Sequence, residues 1–140
     1  MRDLMNSIHV KRAISPVVVT DNTAQVSQII DTLGHDSLTF AIALGALSDA
    51  DATAVVLIED GDAANLSDAA AVADSQLIGT ELLAGFQFDD DNECRKIGYA
   101  GFKRYVRLTI RRATNTGNIP VSALAILGHP QSAPTSNPPA

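Results

Sequence analysis

The chain has 140 residues, a net charge of -6, 46% apolar residues, no Trp and one cysteine. That length suits one domain burying roughly two thirds of its unfolded surface, with a core of Val, Ile, Leu and Ala rather than large aromatics. The single Cys94 excludes an intrachain disulfide and fits a reducing compartment, or a protein folded inside a cell and exported only as part of a particle; no apolar run marks a signal peptide at the N-terminus, and no stretch approaches the roughly 20 apolar residues of a membrane span.

In chain order, Ser7 to Ala13 reads as a first strand, with Ile8 and Val10 inward and His9 and Lys11 outward. Pro16 breaks it, since a strand uses Pro only at an edge or start. The β-branched run Val17-Val18-Val19 resumes the extended chain. Asp21-Asn22-Thr23 is turn chemistry. Val26 to Thr32 fits helix or strand by spacing, and its β-branched content favours strand. Gly34-His35-Asp36 turns into the cleanest alternation of the chain. There Leu38, Phe40, Ile42 and Leu44 point in, and Ser37, Thr39, Ala41 and Ala43 point out. Thr53 to Ile58 is apolar and short, as a central strand is. Ala63 to Ser75 reads either as a helical turn capped by Ser67 or as an irregular excursion. Leu77 to Phe88 contributes another strand, Asp89 to Glu93 is an acidic loop, and Cys94 to Tyr99 is strand-like. Gly98 and Gly101 bracket Tyr99 as a bulge or bend would.

Phe102 to Arg112 alternates again. Phe102, Arg104, Val106, Leu108 and Ile110 form one row, and Lys103, Tyr105, Arg107, Thr109 and Arg111 the other. The first row suits a core, although Arg104 is out of keeping with it. The second is a cationic face. Thr114 to Asn118 has the composition of a hairpin turn, with Gly117 available for positive φ. Ile119 to Leu127 is its return strand, apolar on both faces through Leu124 and Ile126, so both faces are covered by the fold or by a partner. Gly128-His129-Pro130 stops it. The expected organisation is one domain over residues 1–128 and a proline-rich arm over 129–140.

Short strands at spacings near a dozen residues, with almost no helix, predict an all-β protein: an antiparallel β-sandwich or jelly roll of about eight strands.

Charge is segregated. Fifteen of the 16 acidic residues lie between Ala13 and Cys94, where there is no Lys or Arg. The middle carries -15 and the flanks +9, together -6. One reading is that neighbours in the fold neutralise each other. The other is a basic face that docks on an acidic partner surface through Lys103, Tyr105, Arg107 and Arg111. A sequence pI near 4.8 argues against a nucleic-acid partner.

Signs of chemistry are absent. The acidic runs Glu59-Asp60-Gly61-Asp62 and Asp89-Asp90-Asp91-Asn92-Glu93 lack the calcium-loop pattern. His9, His35 and His129 show no metal-ligand spacing. Adjacent His35-Asp36-Ser37 cannot converge as a hydrolytic triad does. Acids before Cys94 raise a thiol pKa instead of activating it. The expectation is a protein that is not an enzyme and needs no cofactor or metal.

The runs I-D-T-L-G-H-D-S-L-T-F-A-I-A-L-G (Ile30 to Gly45), I-G-Y-A-G-F-K-R-Y-V-R (Ile97 to Arg107) and A-I-L-G-H-P (Ala125 to Pro130) resemble the cement, or head-decoration, proteins of tailed phages. The resemblance spans about Val26 to Pro134. It implies a jelly-roll homo-oligomer made in the host cytoplasm and bound to the outside of the capsid, where it clamps the major capsid protein lattice without a cofactor. The residues add an expected interface of Lys103, Tyr105, Arg107, Arg111, Leu124 and Ile126, and a dimer before a trimer, because two-fold contacts are commonest. Two other classes remain. A carbohydrate-binding jelly roll is opposed by the lack of Trp, and a cupin-like enzyme by the missing histidine pair.

Overall fold

The computed structural model describes residues 2–139, and its regular elements are nearly all strands. In chain order these are β1 (Ile8–Val19), β2 (Gln25–Val26), β3 (Ile30–Asp31), β4 (His35–Leu44), β5 (Thr53–Gly61) and β6 (Ala70–Ala71). Then come β7 (Leu77–Ile78), a four-residue helix α1 (Glu81–Ala84), β8 (Phe86–Gln87), β9 (Cys94–Tyr99), β10 (Tyr105–Ala113) and β11 (Ile119–Pro130). They form two antiparallel sheets. One runs β1-β11-β4-β9-β7; the other runs β2-β10-β5-β6, with β3 also on β10 and β8 on β5.

The alternation of β4 is realised in full. Leu38, Phe40, Ile42 and Leu44 are buried, while Ala43 is exposed and Ser37, Thr39 and Ala41 are half-buried. Across the sandwich, Val106, Leu108 and Ile110 of β10 and Ala54, Val56 and Ile58 of β5 close the core. Each large side chain among them contributes on the order of 1.5–3 kcal/mol by leaving water. The return strand fills the first sheet from the inside with Ile119, Val121, Ala123, Ala125 and Leu127.

The expected hairpin of β10 and β11 does not form. β10 pairs with β5, β2 and β3, and β11 with β1 and β4, so the two lie in opposite sheets. Both inner rows are apolar and meet across the core. The link between them crosses from sheet to sheet, and five residues reach easily over the ~10 Å separating packed sheets. Side chains hold this link. Asn115 Nδ2 donates to the Asp21 carbonyl (2.8 Å), and Asp49 Oδ2 accepts from the N–H groups of Thr116 (2.8 Å) and Gly117 (2.7 Å). The positive φ falls on Thr114 rather than on Gly117. Gly117 is needed for another reason: a Cβ there would sit 1.5 Å from the Ser48 carbonyl oxygen.

Other boundaries move as well. β1 continues through Pro16 as an edge strand, with register shifts between Arg12 and Ile14 and between Ile14 and Val17. Bulges absorb the proline there, on the sheet margin, where a missing N–H is tolerated. The same register puts Ile8 and Val10 opposite Gly128 and Ile126 on the outer face, and His9 and Lys11 opposite buried Leu127 and Ala125. That inverts the sequence reading. Strand structure begins at His35, within the expected turn, and β11 runs to Pro130 through the expected stop. Val26 to Thr32 shrinks to the two-residue pairings of β2 and β3. Leu77 to Phe88 divides into β7, α1 and β8. Ala63 to Ser75 is an excursion of turns with β6 inside it. The C-terminal segment folds back on the N-terminal one: Thr135 N donates to the Asn6 carbonyl (3.1 Å), and its hydroxyl to the Ile8 carbonyl.

Candidate functional site

The expected basic face is largely neutralised. Lys103 and Arg104 lie in the loop before β10, because the strand starts at Tyr105 and not at Phe102. Lys103 Nζ bonds Asp62 Oδ2 at 2.6 Å, and Arg107 Nε bonds Glu59 Oε1 at 3.1 Å. The second pair follows from register, since Arg107 stands opposite Glu59. Arg104 is turned out of the core row. It grips Asp31 through Nε and Nη2, both at 2.8 Å, and lies 5.0 Å from the Tyr105 ring centroid. Phe102, expected inward, is 91% exposed. Thr109, expected outward, is buried between Leu57 and Val26 on the flanking strands. Of the four cationic-face candidates, Arg111 is exposed opposite Val55, and among the described residues it has no carboxylate partner. The segregated charge of the sequence is thus in good part internal pairing between β10, its preceding loop and acids brought from 41 to 73 residues away.

The Arg104 fork holds the Asp31 carboxyl down to a pKa of about 2. A depressed carboxylate stabilises the fold above its ordinary pKa, and the contribution is lost as pH falls toward about 2. Replacing Arg104 by alanine is expected to return the Asp31 titration most of the way to the ordinary carboxylate range. A carbon-13 NMR titration reads this, and an unmoved midpoint would show that the fork does not persist in solution.

The acidic runs are used the same way. Asp60 accepts from the Tyr99 hydroxyl (2.6 Å), Asp90 and Glu93 hold Arg95, and Asp91 accepts from the Leu47 N–H (3.0 Å). Among the described residues no cluster of three or more His, Cys, Asp or Glu side chains is placed to hold a metal. His9 and His35 do approach, with ring centroids 5.7 Å apart, across a separation too long for sequence spacing to reveal. Ser37 Oγ and His129 Nδ1 lie 2.9 Å apart. No hydrogen bond joins His129 to a carboxylate among the described residues, so the parts of a triad do not converge there.

Leu124 and Ile126, the remaining candidates, lie on the outer face of the other sheet, away from the basic row. They belong to a broad surface. One rung reads Arg12–Leu124–Ala41–Lys96 across β1, β11, β4 and β9. The next reads Val10–Ile126–Thr39–Gly98–Ile78. A third reads Ser122–Ala43–Cys94, and Ile8–Gly128–Ser37 closes the far end. Leu124 is 45% exposed and Ile78 is 65% exposed. These rungs hold no acid, and their cations are Arg12 and Lys96. Beside them, exposed Leu4 and Met5 line an apolar groove of roughly 580 Å³ together with Thr135, Ser136, Asn137 and Pro139, and it also touches Ile8 and Val10. A separate cleft of roughly 550 Å³ lies at the sandwich end between residues 32–38 and 99–104, with Asp62, Lys103 and Phe102 on its walls.

No protein-family model and no curated protein matches the chain. Among solved structures it is similar to the PBSX exported protein XepA (TM-score 0.55, 14% identity over 85% of this chain and 36% of that one). It is similar to the CBM22-1–GH10 modules of Clostridium thermocellum xylanase 10B complexed with xylohexaose (TM-score 0.53, 10% identity, 95% of this chain and 28% of that one). It is also similar to a chain of infectious bursal disease virus, Gx strain (TM-score 0.51, 12% identity, 87% and 32%). The chain spans about a third of the length of each. At these identities the likeness shows the fold: a two-sheeted antiparallel sandwich of the jelly-roll kind.

Proposed function

We propose that this chain is a structural module and not an enzyme: a cement protein that binds the outside of a phage head and ties neighbouring capsid subunits together. The observation that carries the reading is the open, acid-free apolar face of the β1-β11-β4-β9 sheet, where Leu124 and Ile126 lie. Ordinary strand faces that meet water carry polar residues in alternation. The likeness of fold to a chain of a virus particle and the resemblance in residues Ile30–Gly45, Ile97–Arg107 and Ala125–Pro130 support it. Such a module binds the assembled shell and stabilises it by mass action. Many copies act together, so each contact is modest and the lattice gains through multivalency. The copies form a homo-oligomer on the shell, dimers before trimers, and sedimentation of the free chain at high micromolar concentration reads how much of that association precedes binding.

The test is to purify the protein from its source with its neighbours. It is expected in particles, stripped by salt or mild denaturant, and restored by rebinding. Stripped shells should break at a lower temperature than decorated ones. A chain that never co-purifies with particles, or whose removal leaves shell stability unchanged, rules the reading out.

A second reading is a carbohydrate-binding jelly roll. Exposed Phe102 beside the end cleft favours it, as does the likeness to a chain that carries a CBM22 module. The chain has no Trp and only two Tyr to stack on sugar rings. Calorimetry with xylohexaose separates the two: a saturable signal lost in Phe102→Ala would favour the sugar.

A further inference from the structure

The outer sheet face has a charge pattern as well as an apolar one, and the pattern specifies its occupant. On the rung Arg12–Leu124–Ala41–Lys96, the apolar pair is central and a cation stands at each end. Three strand spacings of ~4.8 Å put the two cation-bearing strands about 14 Å apart. Arg12 is exposed. Its guanidinium bonds the neutral partners Ser15 Oγ (2.5 Å) and Gln28 Oε1 (3.4 Å), and no carboxylate among the described residues. Lys96 is likewise exposed, with no carboxylate among the described residues. This contrasts with Lys103, Arg104 and Arg107 on the other side of the sandwich, each of which has its own acid. The chain has 16 acids against 10 bases, yet no acid stands on these rungs.

We infer that this face docks on a protein surface whose apolar centre is flanked by two carboxylate clusters, one for Arg12 and one for Lys96, and that it is not closed by a second copy of itself. The inference rests on the capsid-binding reading and names the contact surface for it. Two physical arguments select the occupant. A copy related by a two-fold axis would set cations and apolar groups against the same set, with no acid on either side to neutralise them. Like charges so juxtaposed disfavour that pairing, whereas an acid-flanked partner gains both attraction and register. Area points the same way. Four strands at ~4.8 Å and about eight residues at ~3.4 Å give a face of about 500 Å². That is below the ~800 Å² per partner of a stable isolated complex. It suits a contact repeated many times on a lattice.

The chain carries its own reporter, because Cys94 is exposed on the same face, in the rung with Ala43 and Ser122. The experiment uses the particles with which the protein co-purifies, stripped and then rebound. For wild type, alkylation of Cys94 should slow at least tenfold on rebinding. The charge reversal Arg12→Glu with Lys96→Glu should weaken rebinding at least tenfold, and the neutral pair Arg12→Gln with Lys96→Gln should weaken it less and flatten its salt dependence. Far-UV spectra and melting of the free variants confirm that they fold, and the neutral pair keeps the test open where the reversal does not. The inference is overturned if both variants rebind like wild type, if Cys94 stays equally reactive on the shell, or if Arg111→Glu is the variant that abolishes binding. It is also overturned if free wild type associates so that Cys94 becomes protected. Failure of wild type itself to rebind would instead sink the capsid-binding reading on which the inference stands.

Discussion

Replacing Phe40 by alanine is expected to cost the fold about 3–5 kcal/mol, the range for deleting a buried aromatic side chain. Phe40 is fully buried on the inner face of β4. Its cross-strand neighbours are Ala125 on β11 and Ile97 on β9. Ala125 is small, so Phe40 supplies most of the bulk at that level of the sheet. Neither neighbour can collapse into the vacated volume without dragging a fully paired strand with it. The cavity therefore persists, and its cost adds to the lost transfer free energy. A domain of this kind has about 5–15 kcal/mol in all. The variant should melt on the order of 10–20 °C below wild type, or be largely unfolded at room temperature. Urea denaturation monitored by tyrosine fluorescence or far-UV dichroism reads the loss. A change of less than about 1 kcal/mol would mean that the core is not organised around β4.

Tyr99→Phe should have the next largest effect, with a pH signature of its own. The Tyr99 hydroxyl comes from one sheet and donates to Asp60 on the other, at 2.6 Å, while accepting from the Lys103 N–H at 3.0 Å. Removing it leaves a buried carboxylate without that donor and a backbone N–H without that acceptor. The expected cost is about 1–3 kcal/mol near neutral pH. Burial, and then the bond to Asp60, push the Tyr99 pKa well above its ordinary value of 10.0. The folded state thus holds the phenolic proton more tightly than the unfolded chain does. Its contribution is complete below about pH 10 and is lost as pH rises above that. Wild type should lose stability on the alkaline side, and the gap between it and Tyr99→Phe should narrow there. Parallel stability curves from pH 7 to 11 would rule this out.

How much of this was legible in the sequence depended on the range of the interaction. β4 could be read residue by residue, because large apolar residues (Leu38, Phe40, Ile42, Leu44) alternate without interruption with small ones (Ser37, Thr39, Ala41, Ala43). The inner rows of β10 from Val106 and of β11 were legible for the same reason. The pairing of β10 was not. Thr114 to Asn118 has turn composition, but turn residues do not reveal whether the chain doubles back within a sheet or crosses to the facing one. The acids that neutralise Lys103, Arg104 and Arg107 lie 41, 73 and 48 residues earlier, and no local pattern links them. The inward and outward rows of β1 were inverted because its apolar Ile8 and Val10 lie on the outer face, opposite Gly128 and Ile126, while His9 and Lys11 stand opposite the buried Leu127 and Ala125. Arg112 shows the same limit from the other side. It continues the inner row of β10 to the end of the core, is buried, and donates to the Thr23 carbonyl, which is not a role its basic neighbours suggest. Leu124 and Ile126 were recognisable as surplus apolar residues. That they share a face with Arg12, Lys96 and Cys94 depends on the order of four strands.

The pairing of β1 with β11 fixes when this protein can fold. Ile8 bonds into register with Gly128, and Val19 with Ile119, so the edge of the first sheet waits for residues some hundred positions downstream. Such distant closure must be paid in chain entropy before any contact rewards it, which places folding in the slow range of milliseconds to seconds. During synthesis β1 is made before β11 and stays unpaired until the segment through Pro130 has cleared the ribosome. Its Val-rich stretch, Val17 to Val19, is exposed to other nascent chains throughout that interval. Any ribosome that stops short of β11 therefore releases not a slightly smaller sandwich but an open sheet with both β1 and β4 lacking their shared neighbour.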